Sequence, residues 1–210
     1  MQHFSLAEIE AWDRFYRGNF INSLSGFKSA SLIGTISNEG LPNLAIFSNI
    51  VHIGANPALI GFVNRPLEAA PHTINNIEKT GYYTINHIHT NMVAAAHQTS
   101  AKYPVEENEF TATGLTAVYK NGCIAPFVKE STIQYSVALA QIIPITINNT
   151  FFVIGAIQDV YVHENIIMPD GFIEIEKAGS ITSLGVDAYY TTIRMDRYGY
   201  AKVDKDPTII

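Results

Sequence analysis

Four side chains within twelve residues have the types and spacing that suit a phosphate group: Arg65, His72, Thr73 and Asn76. Arg65 follows a predicted strand, and Thr73 or His72 is predicted to begin a short helix as its N-cap. A guanidinium binds phosphate oxygens in pairs, and the first turn of a helix presents unpaired amides at the positive end of its dipole. The spacing therefore predicts a phosphate site. The alternative that it leaves open is a capped surface helix with a solvent-exposed arginine.

The strands that must position these residues lie just before them in the chain. Residues 31–37 are predicted as a first strand, 43–53 as a second and 58–63 as a third. Asn38 and Gly40 suit the tight turn after the first strand, and Pro57, which cannot donate to a ladder, marks the start of the third. We therefore expect an antiparallel meander. Its second strand contains more small and amide residues than a buried strand requires.

The order of the motifs from residue 43 onwards resembles the flavin reductase-like, FMN-binding split-barrel family. Members typically show an Asn-x-Ala-x-x-Ser strand, a Pro-x-Leu strand, and a Thr-x-x-Asn-Ile helix start before Tyr/Phe-x-x-Asn. The corresponding segments here are Asn43-Leu44-Ala45-Ile46-Phe47-Ser48, Pro57-Ala58-Leu59, Thr73-Ile74-Asn75-Asn76-Ile77 and Tyr83-Thr84-Ile85-Asn86. The resemblance covers roughly residues 25 to 165. It implies a mainly β fold, the FMN-binding split β-barrel (a Greek-key antiparallel barrel), with short flanking helices and an N-terminal helix.

The resemblance also implies a cofactor site. FMN, rather than FAD, is expected, with its phosphate near the arginine and the helix start, its ring beside the backbone of the second strand, and NAD(P)H as the candidate co-substrate. The loop after the helix that follows residue 90 often approaches the flavin in this family, and its Lys102 and Tyr103 match only loosely. The expected cofactor-binding residues are Asn43, Ala45, Ile46, Phe47, Ser48, Asn49, Arg65, His72, Thr73, Asn76 and Ser100.

These features predict an FMN-dependent oxidoreductase of the flavin reductase type, which uses a reduced nicotinamide as electron donor. No catalytic residue is named, because hydride transfer is the chemistry of the cofactor. A non-catalytic flavin carrier or sensor and a ligand-free dimer module remain the alternatives. The chain contains no GxGxxG after a strand, no Walker loop and no GxSxG, which disfavours a Rossmann dehydrogenase, a P-loop enzyme and an α/β-hydrolase.

The amino-acid composition indicates which binding partners and which compartment to expect. Of 210 residues, 47% are apolar and 15% are charged, which favours a sizeable core and a surface covered by a second subunit. The family resemblance, in which flavin sites lie at a two-fold interface, further implies a homodimer with the flavin near that interface. The net charge of −6 without a basic cluster argues against nucleic acid, and Cys123, alone in the chain, indicates a reducing, cytoplasmic compartment. Without a signal-peptide pattern or an 18-residue apolar run, we expect neither secretion nor a membrane span.

The remaining segments predict one domain over residues 1–210, with a helical extension at 1–24 and a C-terminal arm at 195–210. Ser5 and Glu8 have the residue types and spacing of a capping box. Residues 132–146 and 150–162 are predicted to form a long hairpin. His87 and His89 share one face of a strand, but without a nearby Cys pair or carboxylate no metal site is expected. Related members often have Arg-x-Gly-Gly near the C-terminus, where Ser183 and Asp187 stand here, so no substrate role is carried over to that segment.

Overall fold

The computed structural model of the protein describes residues 1–104 and 106–210. The strands within them are β1 (Lys28–Ser29), β2 (Ser31–Ile36), β3 (Pro42–Phe47), β4 (Val51–Ala55), β5 (Ala58–Asn64), β6 (Tyr82–His87), β7 (Ala117–Val118), β8 (Phe127–Val128), β9 (Ile133–Ile145), β10 (Thr150–Val162), β11 (Ile181–Leu184) and β12 (Ala188–Thr191). The α-helices are α1 (Leu6–Ala11), α2 (Arg14–Leu24), α3 (Pro71–Thr80), α4 (Val93–Gln98) and α5 (Glu109–Thr113).

A seven-stranded antiparallel sheet forms the body of the fold, in the order β3-β2-β6-β9-β10-β5-β4. The two edge strands, β3 and β4, follow one another in the chain and are joined by only residues 48–50. Three linking residues span at most about 15 Å, so the sheet must curl until its two edges approach each other. Two small sheets, β1-β11-β12 and β7-β8, flank it.

The predicted second strand, residues 43–53, is wrong as a single strand, and the predicted meander is interrupted there. β3 pairs with β2, whereas β4 pairs with β5 at the opposite edge of the sheet. At the corner between them the Asn49 amide takes the place of a neighbouring strand. Its Nδ2 donates to the Val63 carbonyl (2.8 Å), and its Oδ1 accepts from the Val63 N–H (3.3 Å). The chain therefore leaves one edge and joins the other without leaving Val63 unpaired.

Two apolar clusters hold the sheet. Successive residues of a strand point to opposite faces, so Leu32 belongs to one cluster and Ile33 to the other. The first cluster packs beneath α4, α5 and β11, and the second receives Ile74 and Ile77 of α3. Both α3 side chains are fully buried or nearly so, which contributes roughly 1.5–3 kcal/mol each and fixes the start of α3 against the sheet.

The N-terminal segment contains two helices where the sequence predicted one. The capping box is confirmed, since Ser5 Oγ accepts from the Glu8 N–H (3.3 Å) and Glu8 Oε2 from the Ser5 N–H (2.7 Å). Asp13 separates the two helices. Its carboxylate accepts hydrogen bonds from the amides of Phe15 (2.9 Å) and Tyr16 (3.2 Å) and so begins a new helix. No residue of α1 or α2 is buried.

The long hairpin is confirmed as β9 and β10, which turn back at Asn149 with a φ of +56°. Near the C-terminus, β11 and β12 form a second hairpin that pairs with β1. Within the described residues, no helix has both the length and the apolar character needed to cross a membrane.

Candidate functional site

A cavity of about 360 Å³ opens between β3, the start of α3, the loop after α4 and the β11–β12 hairpin. It is lined by Ala30, Asn43, Ala45, Ile46, Phe47, Ser48, Asn49, Val63, Arg65, Glu68, Ala69, Ala70, Pro71, His72, Thr73, Thr99, Ser100, Ala101, Lys102, Tyr103, Glu109, Ser183, Val186 and Tyr189. Its volume is that of a small-molecule or cofactor site.

Ten of the eleven sequence-predicted site residues lie in this lining, and Lys102 and Tyr103 join them. Asn76 does not. Its Nδ2 donates to Thr35 Oγ1 on β2 (3.1 Å) and the residue is buried, so Asn76 fastens α3 to the sheet and has no place at the cavity.

The helix at the cavity begins earlier than predicted, with its N-cap at Ala70 and not at His72 or Thr73, and without a side-chain cap. Its N-cap is Ala70, which offers no side-chain acceptor, and Pro71 at the first position has no N–H. The Thr73 hydroxyl accepts from Asn43 Nδ2 (3.3 Å) instead of capping the helix. The N–H groups of His72 and Thr73 therefore precede the first intrahelical bond and, in the described part of the chain, donate to no other group.

Arg65 lies beside this uncapped helix start because a neighbouring amide folds the connection. Asn64 Nδ2 donates to the carbonyls of Arg65 (2.8 Å) and Ala70 (3.1 Å), which closes the turn between β5 and α3. Among the residues that the structure describes, Arg65 forms no ion pair. A free guanidinium and two free helix amides thus share one end of the cavity, an arrangement that suits a phosphate.

The edge of β3 forms a second wall, and it includes a residue that sequence reasoning missed. Glu109 Oε2 accepts from the Leu44 N–H (3.0 Å), which shows that this amide points away from β2. Backbone groups alternate along a strand, so the N–H and C=O of Ile46 point the same way, toward the cavity edge. Burial raises the pKa of the Glu109 carboxyl. Its only sequence signal is its place before Phe110 in an acidic run.

A third group of lining residues comes from the far end of the chain: Ser183, Val186 and Tyr189, which we call the hairpin wall. The Tyr189 hydroxyl lies 2.8 Å from His97 Nδ1 on α4. Ser183 is 3% exposed, and its Oγ has no hydrogen-bond partner among the residues that the structure describes. The sequence analysis gave this segment no role, because Ser183 and Asp187 depart from the Arg-x-Gly-Gly pattern of related members. The pairing of β11 with β1 brings the hairpin to the cavity.

His87 of β6 and His89, just beyond the end of that strand, each lie within hydrogen-bond distance of a neighbouring group. His87 Nδ1 lies 3.1 Å from Ser180 Oγ, and His89 Nε2 lies 2.8 Å from the Glu130 carbonyl. Burial lowers the pKa of His87 to about 4. In the ranges 1–104 and 106–210, no three His, Cys, Asp or Glu side chains are grouped as metal ligands would be.

Comparison with known proteins identifies the class of fold to which the curled antiparallel sheet belongs. Residues 25–171 match the family described as flavin reductase like domain, and the chain belongs to that family. The predicted family and the mainly β split-barrel fold are thereby confirmed.

A proposed flavin reductase with a split barrel domain from Shewanella frigidimarina NCIMB 400 is 49% identical, with a TM-score of 0.93 over 96% of this chain and 100% of that one. Nitrilotriacetate monooxygenase component B from Bacillus cereus is 21% identical, with a TM-score of 0.82 over 94% of this chain and 98% of that one, a likeness that shows the fold alone. An uncharacterised Aquifex aeolicus (strain VF5) protein is 26% identical over 159 residues, which is 75% of this chain and 80% of its own.

Proposed function

We propose that the cavity binds FMN and that the protein is an oxidoreductase of the flavin reductase type with NAD(P)H as electron donor. One observation carries this proposal: Arg65, the uncapped start of α3 and the open edge of β3 line the same cavity. Membership of the flavin reductase-like family supports it independently.

The residues present fit FMN at both ends. Arg65 and the amides of His72 and Thr73 would hold the phosphate by charge-assisted hydrogen bonds. The outward N–H and C=O of Ile46 would face the polar edge of the ring, and Ala45 leaves room for it to approach. One arginine and one helix start match the single terminal phosphate of FMN, whereas FAD would require room there for a further nucleotide.

The protein's part in this function is to bind and orient. When bound, the flavin supplies the redox chemistry by accepting a hydride from the donor. In the cavity, β3 forms one wall, and the loop 99–103 and the hairpin wall also line it. No side chain of this site has to donate or accept a proton for the transfer itself.

We further propose that the protein is a homodimer in the cytoplasm. Helices α1 and α2 bury none of their residues, and Phe15 is 75% exposed, Leu24 66% and Phe27 64%. A second copy that covers these apolar side chains would remove them from water. The single cysteine, Cys123, fits a reducing compartment.

Anaerobic spectroscopy tests the proposed function. The purified protein is loaded with FMN, freed of excess flavin, and titrated with NADH and with NADPH while the visible flavin absorbance is recorded, with protein-free FMN as control. We expect bound flavin and its bleaching by at least one nucleotide, far faster than in the control. Bound flavin that neither nucleotide bleaches would favour a carrier or sensor. A protein that retains no FMN at micromolar concentration would contradict the proposal.

A further inference from the structure

The Glu109 carboxylate is a buried acidic group in the wall of the cavity. Its side chain lines the cavity, and the residue is 7% exposed. Glu109 Oε2 accepts from the Leu44 N–H, whereas Oε1 forms no hydrogen bond with another described residue. Within the described ranges the carboxylate also forms no ion pair. Buried carboxylates are normally paired, because leaving water without a partner is costly, so a group that enters the cavity is the expected partner of Oε1.

Glu174, which is also buried, supplies a comparison within the chain. It is 6% exposed, and both of its carboxylate oxygens are engaged by cations. Oε1 accepts from Arg194 (2.7 Å) and Oε2 from Lys177. Glu174 does not line the cavity. The chain thus satisfies a buried carboxylate completely where no ligand can reach it, and leaves one oxygen of Glu109 available where a ligand can.

The position of Glu109 along β3 lies between the two ends of the proposed cofactor site. Asn43, one residue before Leu44, donates to the start of α3 (3.3 Å), where the phosphate is proposed to bind. Ile46, whose outward amide is proposed to face the flavin ring, lies two residues after Leu44. Since a strand rises about 3.4 Å per residue, the contact of Glu109 with β3 lies roughly 7 Å from Ile46 on the phosphate side.

The chemistry of a carboxylate limits what its partner can be. An ionised carboxylate only accepts hydrogen bonds, so neither a phosphate nor a carbonyl oxygen of the flavin ring can satisfy it. The part of FMN between the ring and the phosphate is the ribityl chain, which carries hydroxyl groups along its length. A hydroxyl that donates to a carboxylate forms a short, charge-assisted hydrogen bond. The ribityl chain therefore has the right group at the right place.

We infer that Glu109 binds the ribityl chain of the flavin, with Oε1 accepting a hydrogen bond from one of its hydroxyl groups. This inference rests on the proposed function, because it assigns a binding residue for the proposed cofactor. Glu109 thereby selects a ligand that carries a polyol between its ring and its phosphate. Loss of the carboxylate weakens the binding of riboflavin, but not that of lumiflavin, which is the flavin ring without the ribityl chain.

Fluorescence titrations of the flavin-free protein with riboflavin and with lumiflavin test the inference. They compare wild type, Glu109→Ala and the matched control Glu107→Ala, which removes an exposed glutamate from the same segment. We expect wild type and the control to bind riboflavin at least about tenfold more tightly than lumiflavin. Glu109→Ala should lose most of this preference, with lumiflavin affinity within about twofold of wild type. Glu109→Gln, which keeps an acceptor for the Leu44 N–H but no charge, should fall between them.

The outcomes separate this inference from the function on which it rests. If wild type binds none of FMN, riboflavin and lumiflavin, the proposed function fails and the inference fails with it. If wild type binds FMN but Glu109→Ala keeps the riboflavin preference of Glu107→Ala, the inference alone is overturned. Equal weakening of riboflavin and lumiflavin in Glu109→Ala would assign the carboxylate to the support of β3, which also overturns it. Should Glu109→Ala not fold, a wild-type preference in Glu109→Gln overturns the inference in its place.

Discussion

Asn43 and Thr73, two of the predicted cofactor contacts, also hold three elements together. Asn43 Nδ2 donates to Thr35 Oγ1 on β2 (3.1 Å) and to Thr73 Oγ1 on α3 (3.3 Å), and all three residues are buried. The amide therefore fixes the start of α3 against β3. Through this bond the two walls of the proposed FMN site keep a constant separation, whether or not the side chains touch the cofactor themselves.

A pH-dependent contribution to stability is expected from His87. Burial lowers its pKa to about 4, whereas the unfolded side chain titrates near 6.5. The unfolded chain therefore binds the proton first as the pH falls, so the free energy of unfolding is highest above pH 6.5 and decreases between pH 6.5 and about 4. Over this range we expect the free energy of unfolding of the wild-type protein to fall by about 1–3 kcal/mol more than that of His87→Gln.

Urea unfolding at several pH values between 7 and 4 measures this difference. Other groups that titrate in the range, including the Glu109 carboxyl with its raised pKa, are common to both proteins and cancel in the comparison. Parallel stability curves for the two proteins would mean that His87 takes up its proton as readily in the folded chain as in the unfolded one.

At the scale of elements, the corner between β3 and β4 depends on one side chain. Asn49→Ala removes both hydrogen bonds to Val63 and leaves the N–H and C=O of Val63 unpaired. We expect this to lower the free energy of unfolding by about 1–3 kcal/mol. Chemical unfolding of the flavin-free protein measures the change, with the exposed Asn19→Ala of α2 as control. A variant as stable as the control would show that water replaces the Asn49 amide without loss.

The backbone of β3 is expected to lie against the flavin ring, which Ala45→Leu tests. Ala45 lines the cavity, so the larger side chain would occupy ring space and weaken FMN binding at least about tenfold with little effect on the flavin-free protein. If Ala45 only packs in the barrel, overpacking costs about 1–3 kcal/mol of stability and spares affinity. FMN titration and melting of the flavin-free variant distinguish the two, with the exposed Ala58→Leu as control.

Local patterns predicted some elements well and failed at others for identifiable reasons. The β9–β10 hairpin follows from strict alternation and the Asn148-Asn149 turn, which are both local signals. The β3–β4 corner was missed because an apolar run resumes directly after the polar pair Ser48-Asn49, and the break depends on Val63, fourteen residues from Asn49. The division of the N-terminal helix is local in origin, since Asp13 caps α2, but aromatic residues at helical spacing on both sides concealed it.

The whole molecule is expected to be a homodimer. The exposed apolar residues of α1, α2 and the segment that follows would be covered by a second copy. Light scattering coupled to size exclusion at micromolar concentration should give about twice the chain mass of 23.2 kDa. A mass of one chain would contradict this prediction without affecting the assignment of the cavity.

Local spacing alone predicted the candidate site only where the chain itself brings its residues together, whereas the β3 residues and Ser100 were predicted from the family resemblance. Arg65, His72 and Thr73 lie within one strand-to-helix connection, and their spacing alone indicates a phosphate site. Glu109 and Ser183 reach the cavity through α5 and through the pairing of β11 with β1, far along the chain from β3. Nothing in the local sequence of either residue specifies that approach, because it depends on how the whole sheet closes.

The phosphate end of the cavity provides the most direct test of the account. Fluorescence titrations compare FMN with riboflavin, which lacks the phosphate, on wild type, Arg65→Ala and the exposed control Arg14→Ala. A charge-assisted contact of about 1.5–3 kcal/mol predicts that wild type and the control bind FMN roughly ten- to hundredfold more tightly than riboflavin. In Arg65→Ala most of this preference should disappear while riboflavin affinity is unchanged. Equal affinities of wild type for the two flavins would contradict a phosphate site at Arg65 and the start of α3.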